Sequence, residues 1–296
     1  MKQPARLSRT IRPMRSSLVH DNLGSRPSPV ADRLHVAELS SAGEPLVFLH
    51  GVGGTFRYWL AGPRPPTFAA HRTMLVDLLG FGDSPKPWCR YTVDRHLGAL
   101  HSALAGHRRM TLVGHSMGAV LALAYAARHP AEVRRLVLLG LPYFGSQANA
   151  YRWFRREPGG WIYTNMFATA LACMFSRRII GKLLPYLLRD IPRSIAEDLV
   201  KHTFLSSTTS IWEVLYRHDL AADALALPEE LPVYCLHGTR DNSAPVDGVM
   251  RLASGRANWH VELLDGVDHH PWLRQQERCR VGILRVLNAN LTDERG

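Results

Sequence analysis

Long apolar runs, internal repeats and low-complexity tracts are all missing from this chain of 296 residues. The most apolar stretch, Trp161 to Phe175, is interrupted by polar residues such as Asn165, and it is shorter than the ~20 residues that a membrane-spanning helix needs. We therefore predict no transmembrane helix. Because no segment repeats at a fixed period, a solenoid architecture has no support either.

Cysteine is scarce, and its four positions are scattered along the chain: Cys89, Cys173, Cys235 and Cys279. They form no CxxC pair and no Cys/His cluster at metal-ligand spacing, so the sequence predicts buried, reduced thiols rather than a zinc site. Reduced thiols without a secretory signal are typical of a reducing compartment. We therefore expect a cytoplasmic protein.

Acidic residues are absent before Asp21, and this first stretch is basic and contains several serines. The composition superficially resembles a mitochondrial transit peptide, but the apolar core of a secretory signal is missing. A segment rich in Pro and Ser follows around Pro27 to Pro29. We predict that residues 1–30 form a disordered basic tail.

Basic residues outnumber acidic ones, and the formal net charge is +11. Clustered Lys and Arg side chains favour nucleic acid or an anionic membrane surface, because they release counterions there. However, no zinc finger, RNP-type aromatic motif or basic heptad accompanies them, so we predict solvated charge and no nucleic-acid partner. The basic residues are concentrated in the tail and in the middle of the chain: Lys2, Arg6, Arg9, Arg12, Arg15, Arg152, Arg155, Arg156, Arg177, Arg178 and Lys182.

Short apolar runs alternate with longer helical patterns along most of the chain, which is typical of a parallel sheet in an α/β fold. Most of the runs are continuously apolar, as expected for strands that helices cover on both faces. Helices are predicted from Val93 to Leu104, from Met117 to Arg128 and from Trp272 to Leu287. The six predicted strands are residues 46–49, 73–76, 110–113, 136–139, 233–236 and 261–264.

The alternation breaks between Pro142 and Pro228, where the sequence has aromatic and Leu-rich helical pieces and no strong strand pattern. We interpret residues 142–228 as a helical insertion into an α/β core that residues 31–141 and 229–296 form. Prolines and glycines, among them Pro158 and Gly181, divide this insertion into short pieces.

One motif has a chemical signature. Gly114-His115-Ser116-Met117-Gly118 directly follows a predicted strand and directly precedes a predicted helix. A sharp turn between a strand and a helix needs small residues at its flanks, and the two glycines meet that need. The turn would expose the serine in a strained conformation. Free N–H groups at the start of the helix would favour negative charge that develops beside it.

With this motif the chain resembles the α/β-hydrolase superfamily, in its branch of esterase-like and C–C-hydrolase-like enzymes, over nearly its whole length. Residues 49–54 (LHGVGG) are similar to the HG-containing loop after the third strand of that family, and residues 77–84 (DLLGFGDS) are similar to the D-x-x-G-x-G-x-S loop after its fourth. The resemblance implies a mostly parallel, eight-stranded-type sheet with helices on both faces. It also implies that the insertion forms a helical lid over the serine.

The resemblance further implies a catalytic serine, acid and histidine in that chain order. Ser116 would be the nucleophile, Asp241 the acid and His269 the general base. A hydroxyl needs such a base, and the base needs an acceptor that fixes its tautomer. Residues 238–241 (GTRD) and 266–269 (GVDH) each follow a predicted strand, as the corresponding family loops do.

Alternatives to two of these residues remain open. His270 is an alternative base, because the register of a motif is least secure at the ends of elements. Asp247 is a weaker alternative acid. Asp265 and Asp268 lie too close to the base in sequence to be favoured as its partner.

An oxyanion needs preorganised hydrogen-bond donors, and the resemblance assigns this role to the backbone N–H groups of Val52 and Met117. Asp77 and Asp83 are expected to fix their loop through Asx-type turns. No metal or other cofactor is expected. Four further residues are expected at the substrate site, where the two histidines would shape the pocket and not act as bases: His50, Gly51, Gly53 and His115.

The leading functional hypothesis is hydrolysis of an ester, or of another acyl compound, through a covalent acyl-enzyme. The partner would be a small apolar ester or acyl substrate under the lid. One alternative is C–C hydrolysis of a ring-cleavage diketone, and another is a ligand receptor without turnover. The sequence does not indicate an oligomeric state. Aromatic residues of the insertion could line the pocket, although normal burial favours internal packing for at least half of them: Tyr143, Phe144, Tyr151, Trp153, Phe154, Trp161, Tyr163, Phe167 and Phe175.

Overall fold

The structure, a computed structural model, describes residues 33–175, 193–198 and 200–288. The tail predicted at residues 1–30 lies outside these ranges. Part of the insertion, residues 176–192, also lies outside them, together with its basic residues Arg177, Arg178 and Lys182.

A seven-stranded sheet forms the centre of the described chain, in the order β1-β3-β2-β4-β5-β6-β7. Only β1 runs antiparallel to its neighbour, and every other neighbouring pair is parallel. All six predicted strands are confirmed; the described sheet has one strand fewer than the eight expected. The strands are β1 Val36–Glu38, β2 Glu44–Leu49, β3 His71–Val76, β4 Met110–His115, β5 Val133–Leu139, β6 Val233–Gly238 and β7 Trp259–Leu264.

The α-helices of the described residues are α1 Arg57–Leu60, α2 Val93–Ala103, α3 Met117–Arg128, α4 Gln147–Phe154, α5 Met166–Phe175, α6 Arg193–Asp198, α7 Phe204–Ser210, α8 Leu220–Ala226, α9 Val246–Ala253, α10 Pro271–Arg274 and α11 Gln276–Asn288. The predicted helices at residues 93–104 and 117–128 correspond to α2 and α3. The single C-terminal helix expected from residue 272 is instead two helices, because the backbone of Gln275 between them is not helical, with a φ of −135° and a ψ of 59°.

The core consists of two apolar layers, one on each face of the sheet. Along β2, Val47 and Leu49 join the layer that includes α2 and α3, whereas Leu46 and Phe48 join the opposite layer with α10 and α11. A fully buried side chain of this size stabilises the fold by ~1.5–3 kcal/mol relative to an exposed one. Because both faces are buried, the positions of the strand ends are closely fixed.

Parallel pairing brings the carboxyl ends of six strands to one edge of the sheet. The register pairs Leu49 of β2 with Gly114 of β4, and His115 of β4 with Leu139 of β5. The loops that follow the strands from β2 to β7 therefore meet at this edge, which is where ligands bind in open α/β sheets.

The insertion connects β5 to β6, which are hydrogen-bonded neighbours in the sheet. Its described residues form helices joined by turns and irregular segments, with an isolated bridge between His202 and Phe81. They include a 3₁₀-helix, Gly160–Thr164, and a π-helix, Ile211–Tyr216. Among the helices of the described ranges, none has both the length and the apolar character required to cross a bilayer.

Candidate active site

Ser116 occupies the turn between β4 and α3 in a conformation that amino acids with a side chain rarely adopt. Its φ is 53° and its ψ is −117°. A non-glycine residue in such a region costs on the order of 1–3 kcal/mol, so the surroundings must hold it there. The N–H of Ser116 donates to the carbonyl of Leu139 at 2.9 Å, which anchors the turn to the end of β5.

The two glycines of the motif are required by close backbone contacts. A Cβ on Gly114 would lie 2.4 Å from the carbonyl oxygen of Gly118, and a Cβ on Gly118 would lie 2.3 Å from the carbonyl oxygen of Leu49. Neither position has room for a side chain. The glycines therefore let the start of α3 approach both β4 and the end of β2.

His269 lies between Ser116 and Asp241, within hydrogen-bond distance of both. Its Nε2 is 2.9 Å from the Ser116 Oγ, and its Nδ1 is 2.7 Å from the Asp241 Oδ2. His269 follows β7 and Asp241 follows β6, so three separate loops supply the three side chains. The structure thus brings together the serine, acid and histidine that the sequence analysis selected.

Buried backbone donors hold the carboxylate of Asp241. Its side chain is fully buried, and its Oδ1 accepts hydrogen bonds from the N–H groups of Ser243 and Ala244, each at 2.8 Å. Its Oδ2 accepts the Nδ1–H of His269, so the other ring nitrogen presents a lone pair to the serine hydroxyl. This is the tautomer that a general base requires.

The alternative base and the alternative acids lie elsewhere. Burial, followed by the neighbouring His269, lowers the pKa of His270 to about 4. Asp268 pairs with Arg274 and accepts the N–H of His270. Asp265 accepts a hydrogen bond from Thr239. No hydrogen bond from any of these side chains, or from Asp247 in the first turn of α9, reaches Ser116 within the described ranges.

His115 supports the histidine that faces the serine. Its Nε2–H donates to the backbone carbonyl of His269 at 2.8 Å, and its ring stacks on Tyr58 with 4.6 Å between centroids. Burial lowers the pKa of His115 well below its ordinary value, so the ring stays neutral. Sequence reasoning selected His115 but missed Tyr58, because nothing in its local pattern indicates this contact.

His237 was also missed by the sequence analysis. It lies at the end of β6 with a fully buried side chain, and its Nε2–H donates to the carbonyl of Ala244 at 3.0 Å. The same nitrogen is 3.4 Å from the Asp241 Oδ2. His237 therefore stabilises the turn whose N–H groups hold the carboxylate.

His50 lies beneath the HG-containing loop. Its Nδ1–H donates to the carbonyl of Gly51 at 2.7 Å, and its Nε2 accepts the N–H of Leu78 at 3.0 Å. The side chain is fully buried and burial lowers its pKa, so the ring is neutral. With both nitrogens engaged, His50 has no polar atom free for a substrate, and it shapes the loop instead.

Gly51 brings this loop against Ser116. A Cβ on Gly51 would lie 3.1 Å from the Cβ of Ser116, and the loop turns back through Gly53, which has a φ of 74°. The N–H of Gly54 donates to the carbonyl of Gly51 at 3.1 Å. Among the loop and cap hydrogen bonds of the described residues, the N–H groups of Val52 and Met117 donate to no backbone carbonyl.

Asp77 joins three segments below the HG-containing loop. Its Oδ1 accepts the N–H of Phe56 at 2.7 Å, and its Oδ2 accepts the N–H of Asp83 at 2.8 Å and lies 3.1 Å from His35 Nδ1. His35, Asp77 and Asp83 have the composition of a metal site, but both carboxylate oxygens of Asp77 already bind backbone donors. This cluster fixes loops.

Two helices of the insertion are attached to the segments that follow β2 and β3. Asp198 at the end of α6 accepts hydrogen bonds from Thr55 at 2.6 Å and from Arg57 at 2.9 Å. Ser206 in α7 donates to the carbonyl of Gly80 at 2.9 Å. This part of the insertion is therefore held at the same edge of the sheet as Ser116.

The aromatic side chains that the structure describes in the insertion fall mainly into two groups. One group, Phe144, Tyr151, Trp153 and Phe154, packs together with Trp212 and Tyr216. Another group is exposed at the surface: Trp161, Tyr163, Phe167 and Phe175. Two cavities lie beside these groups. One of about 360 Å³ borders Val120 of α3, and one of about 330 Å³ is an apolar groove between α5 and α7.

Comparison with known proteins identifies the family. The model of a family described as "alpha/beta hydrolase fold" matches residues 44–269. "Probable lysophospholipase BODYGUARD 1" of Arabidopsis thaliana is 29% identical over 255 residues, which cover 75% of this chain and 54% of that protein. "Uncharacterized protein Rv2715" of Mycobacterium tuberculosis is 26% identical over 247 residues, 79% of this chain and 72% of that protein. The chain spans between about a fifth and three fifths of the length of the BODYGUARD relatives that it matches.

Solved structures share the fold. MenH from S. aureus superposes with a TM-score of 0.69 at 17% identity and covers 86% of this chain and 98% of its own. An esterase from Exiguobacterium antarcticum superposes with a TM-score of 0.65 at 19% identity and covers 86% and 95%. Together with the match over residues 44–269, these likenesses establish that the chain belongs to the α/β-hydrolase fold family.

Proposed function

We propose that the chain is a serine hydrolase that cleaves a carboxylic ester through a covalent acyl-enzyme, with Ser116 as nucleophile, His269 as general base and Asp241 as the orienting acid. One observation carries the proposal: an unbroken chain of hydrogen bonds runs from the Ser116 Oγ through both ring nitrogens of His269 to the Asp241 Oδ2. A purely structural turn has no need of this convergence, whereas nucleophilic catalysis by a hydroxyl requires it.

In the first half of the reaction, the Ser116 Oγ attacks the ester carbonyl carbon while its proton moves to the His269 Nε2. The buried Asp241 carboxylate stabilises the imidazolium that results. Collapse of the tetrahedral intermediate breaks the C–O bond of the ester, and His269 returns the proton to the departing alcohol. The acyl group remains on Ser116.

We assign the oxyanion hole to the backbone N–H groups of Val52 and Met117. Both belong to segments that flank Ser116, and the start of α3 adds the positive end of a helix dipole. Loss of one such donor typically costs about 3 kcal/mol of barrier stabilisation. Because the donors are main-chain groups, their side chains do not determine this contribution.

In the second half, a water molecule gives a proton to His269 and attacks the acyl carbon. The carboxylic acid leaves, and the proton returns to Ser116. The chain's own residues thus complete the cycle, and the proposed mechanism involves no cofactor.

We propose that the insertion, residues 142–228, acts as a lid over the core of residues 31–141 and 229–296 and binds the apolar part of a small ester. The attachment of α6 and α7 to the segments that follow β2 and β3 supports this role. The groove of about 330 Å³ between α5 and α7 favours binding of an apolar group. Its lining includes Met166, Phe167, Phe204 and Leu205. A lysophospholipid, to which the names of the BODYGUARD relatives refer, is an ester with an apolar chain.

A fluorophosphonate probe and an ester substrate test the proposal together. The wild-type chain should be labelled and should turn over a p-nitrophenyl ester repeatedly, whereas Ser116→Ala should do neither. Ser254→Ala, which removes an exposed serine, is the matched control and should behave as wild type. Persistent labelling of Ser116→Ala would refute the nucleophile, and product release limited to one equivalent would favour a receptor. Faster cleavage of a vinylogous diketone than of esters would favour C–C hydrolysis.

A further inference from the structure

Three side chains that the proposed reaction does not use converge at the far end of α3. His101 lies in the last turn of α2, His129 directly follows α3, and Glu132 follows three residues later. One ligand atom from each lies within 4.8 Å of the others. Since α3 has twelve residues at ~1.5 Å each, about 18 Å separates this cluster from Ser116.

One of these spacings is close to that of two ligands on a single ion. His101 Nδ1 is 3.6 Å from Glu132 Oε2. Two ligands that each bind Zn²⁺ at ~2.0–2.1 Å with a tetrahedral angle are separated by about 3.4 Å. The rings of His101 and His129 are stacked, with 4.4 Å between centroids and 12° between planes, so the two imidazoles lie face to face at this point of the surface.

The backbone holds two of the three ligands in place. Glu132 N–H donates to the carbonyl of His129 at 3.0 Å, and Met110 N–H donates to the carbonyl of Glu132 at 2.8 Å. Pro130 stiffens the turn between them. Tyr125 OH donates to Glu132 Oε2 at 2.6 Å, which orients the carboxylate as outer partners of metal ligands do.

The cluster is also open to an ion. About half of the His101 side chain is exposed, and His129 is half-buried. Within the described ranges, the ring nitrogens of His129 make no hydrogen bond to protein. The neighbouring cation, Arg128, is paired with Asp223 and Asp94, which lessens its opposition to a bound ion.

We propose that His101, His129 and Glu132 bind one divalent transition-metal ion of the Zn²⁺ class, with a fourth position open to solvent. Two imidazoles and one carboxylate suit Zn²⁺, whereas Ca²⁺ and Mg²⁺ take oxygen ligands. The ion links the end of α2 to the turn between α3 and β5. It stabilises the fold and takes no part in the reaction at Ser116.

Zinc binding to the metal-free full chain tests the site. Equilibrium dialysis against ZnCl₂ should give one more bound ion per chain for wild type than for the double variant His101→Ala/His129→Ala. His260→Ala, which removes an exposed histidine stacked on Tyr234, is the matched control and should bind as wild type does. Equal numbers of ions on wild type and the double variant would overturn the proposal.

A thermal shift gives a second readout that does not depend on the double variant. ZnCl₂ should raise the Tm of wild type, because a ligand that binds only the folded state stabilises it. Glu132→Gln, which removes one negatively charged ligand, should lose most of this shift. An undiminished zinc-dependent shift in Glu132→Gln would overturn the assignment of the carboxylate as a ligand.

Discussion

At the carboxyl edge of the sheet, each polar side-chain atom of Ser116, His269 and Asp241 has a hydrogen-bond partner, whereas large apolar side chains of the insertion lie exposed. Phe167 is 73% exposed and Phe175 is 58% exposed. Hydrogen bonds are directional, so the first region has little freedom to vary. Apolar burial is non-directional, so the insertion is less narrowly constrained. Under the proposed function, the core determines the chemistry and the insertion determines the specificity.

Substitution of His269 has the largest expected effect on kcat, and substitution of His270 tests whether the effect is specific to His269. His269→Ala should lower kcat by about 10⁶, because removal of the general base costs about as much as removal of the whole triad. The matched change His270→Ala should leave the chemical step largely intact. Steady-state kinetics with a p-nitrophenyl ester measure both. A greater loss of kcat in His270→Ala would show that His270 is the general base.

Asp241→Asn should lower kcat by about 10⁴, because an amide no longer holds the His269 ring in the required tautomer. Asp247→Asn, in the first turn of α9, should leave kcat unchanged and serves as its control. Both rates follow from the same ester assay. If the two variants were equally impaired, the identity of the acid would be wrong.

Gly118→Ala tests how closely the backbone fixes the turn. A Cβ at this position would lie 2.3 Å from the carbonyl oxygen of Leu49, so we expect a loss of ~1–3 kcal/mol in the free energy of unfolding. Gly98→Ala, in α2 with no atom within 4 Å of its Cβ, should instead stabilise by ~0.5–1 kcal/mol. Urea denaturation measures both. If Gly118→Ala changed the free energy of unfolding no more unfavourably than Gly98→Ala does, the turn would have room for a side chain.

Leu205→Ser tests the insertion, and it has the smallest expected effect. If the groove between α5 and α7 holds the apolar group, loss of contact with about two CH₂ groups, at ~0.8 kcal/mol each, lowers the preference for long over short acyl chains about tenfold. Leu225→Ser changes an exposed leucine of α8 and should leave the preference unchanged. A series of p-nitrophenyl esters provides the kcat/KM values. An unaltered preference in Leu205→Ser would exclude this groove.

The sequence predicted the sheet and the turn at Ser116 because both leave strong local patterns. Continuous apolar runs mark buried parallel strands, and Gly114 and Gly118 mark a turn that no larger residue fits. Strand β1 was missed because Val36–Glu38 is only three residues long at the edge of the sheet. Such a short run has no recognisable period.

The finer features of the site depend on tertiary contacts that a local pattern does not encode. Sequence reasoning left His269 and His270 as alternatives, since adjacent residues in a loop share their flanking sequence. The ring of Tyr58 beneath His115 and the bond from His237 to Ala244 involve residues from separate segments or a folded turn. The full burial of His50 likewise follows from packing by several loops.

Direct observation of the acyl-enzyme tests the central claim, that Ser116 is an activated nucleophile. The wild-type chain is mixed with a p-nitrophenyl ester, quenched in acid during turnover, and digested for peptide mass spectrometry. We expect the added mass of one acyl group on the peptide that contains Ser116, and no such adduct in His269→Ala. An acyl group on another residue, or rapid hydrolysis with no adduct on Ser116, would contradict it.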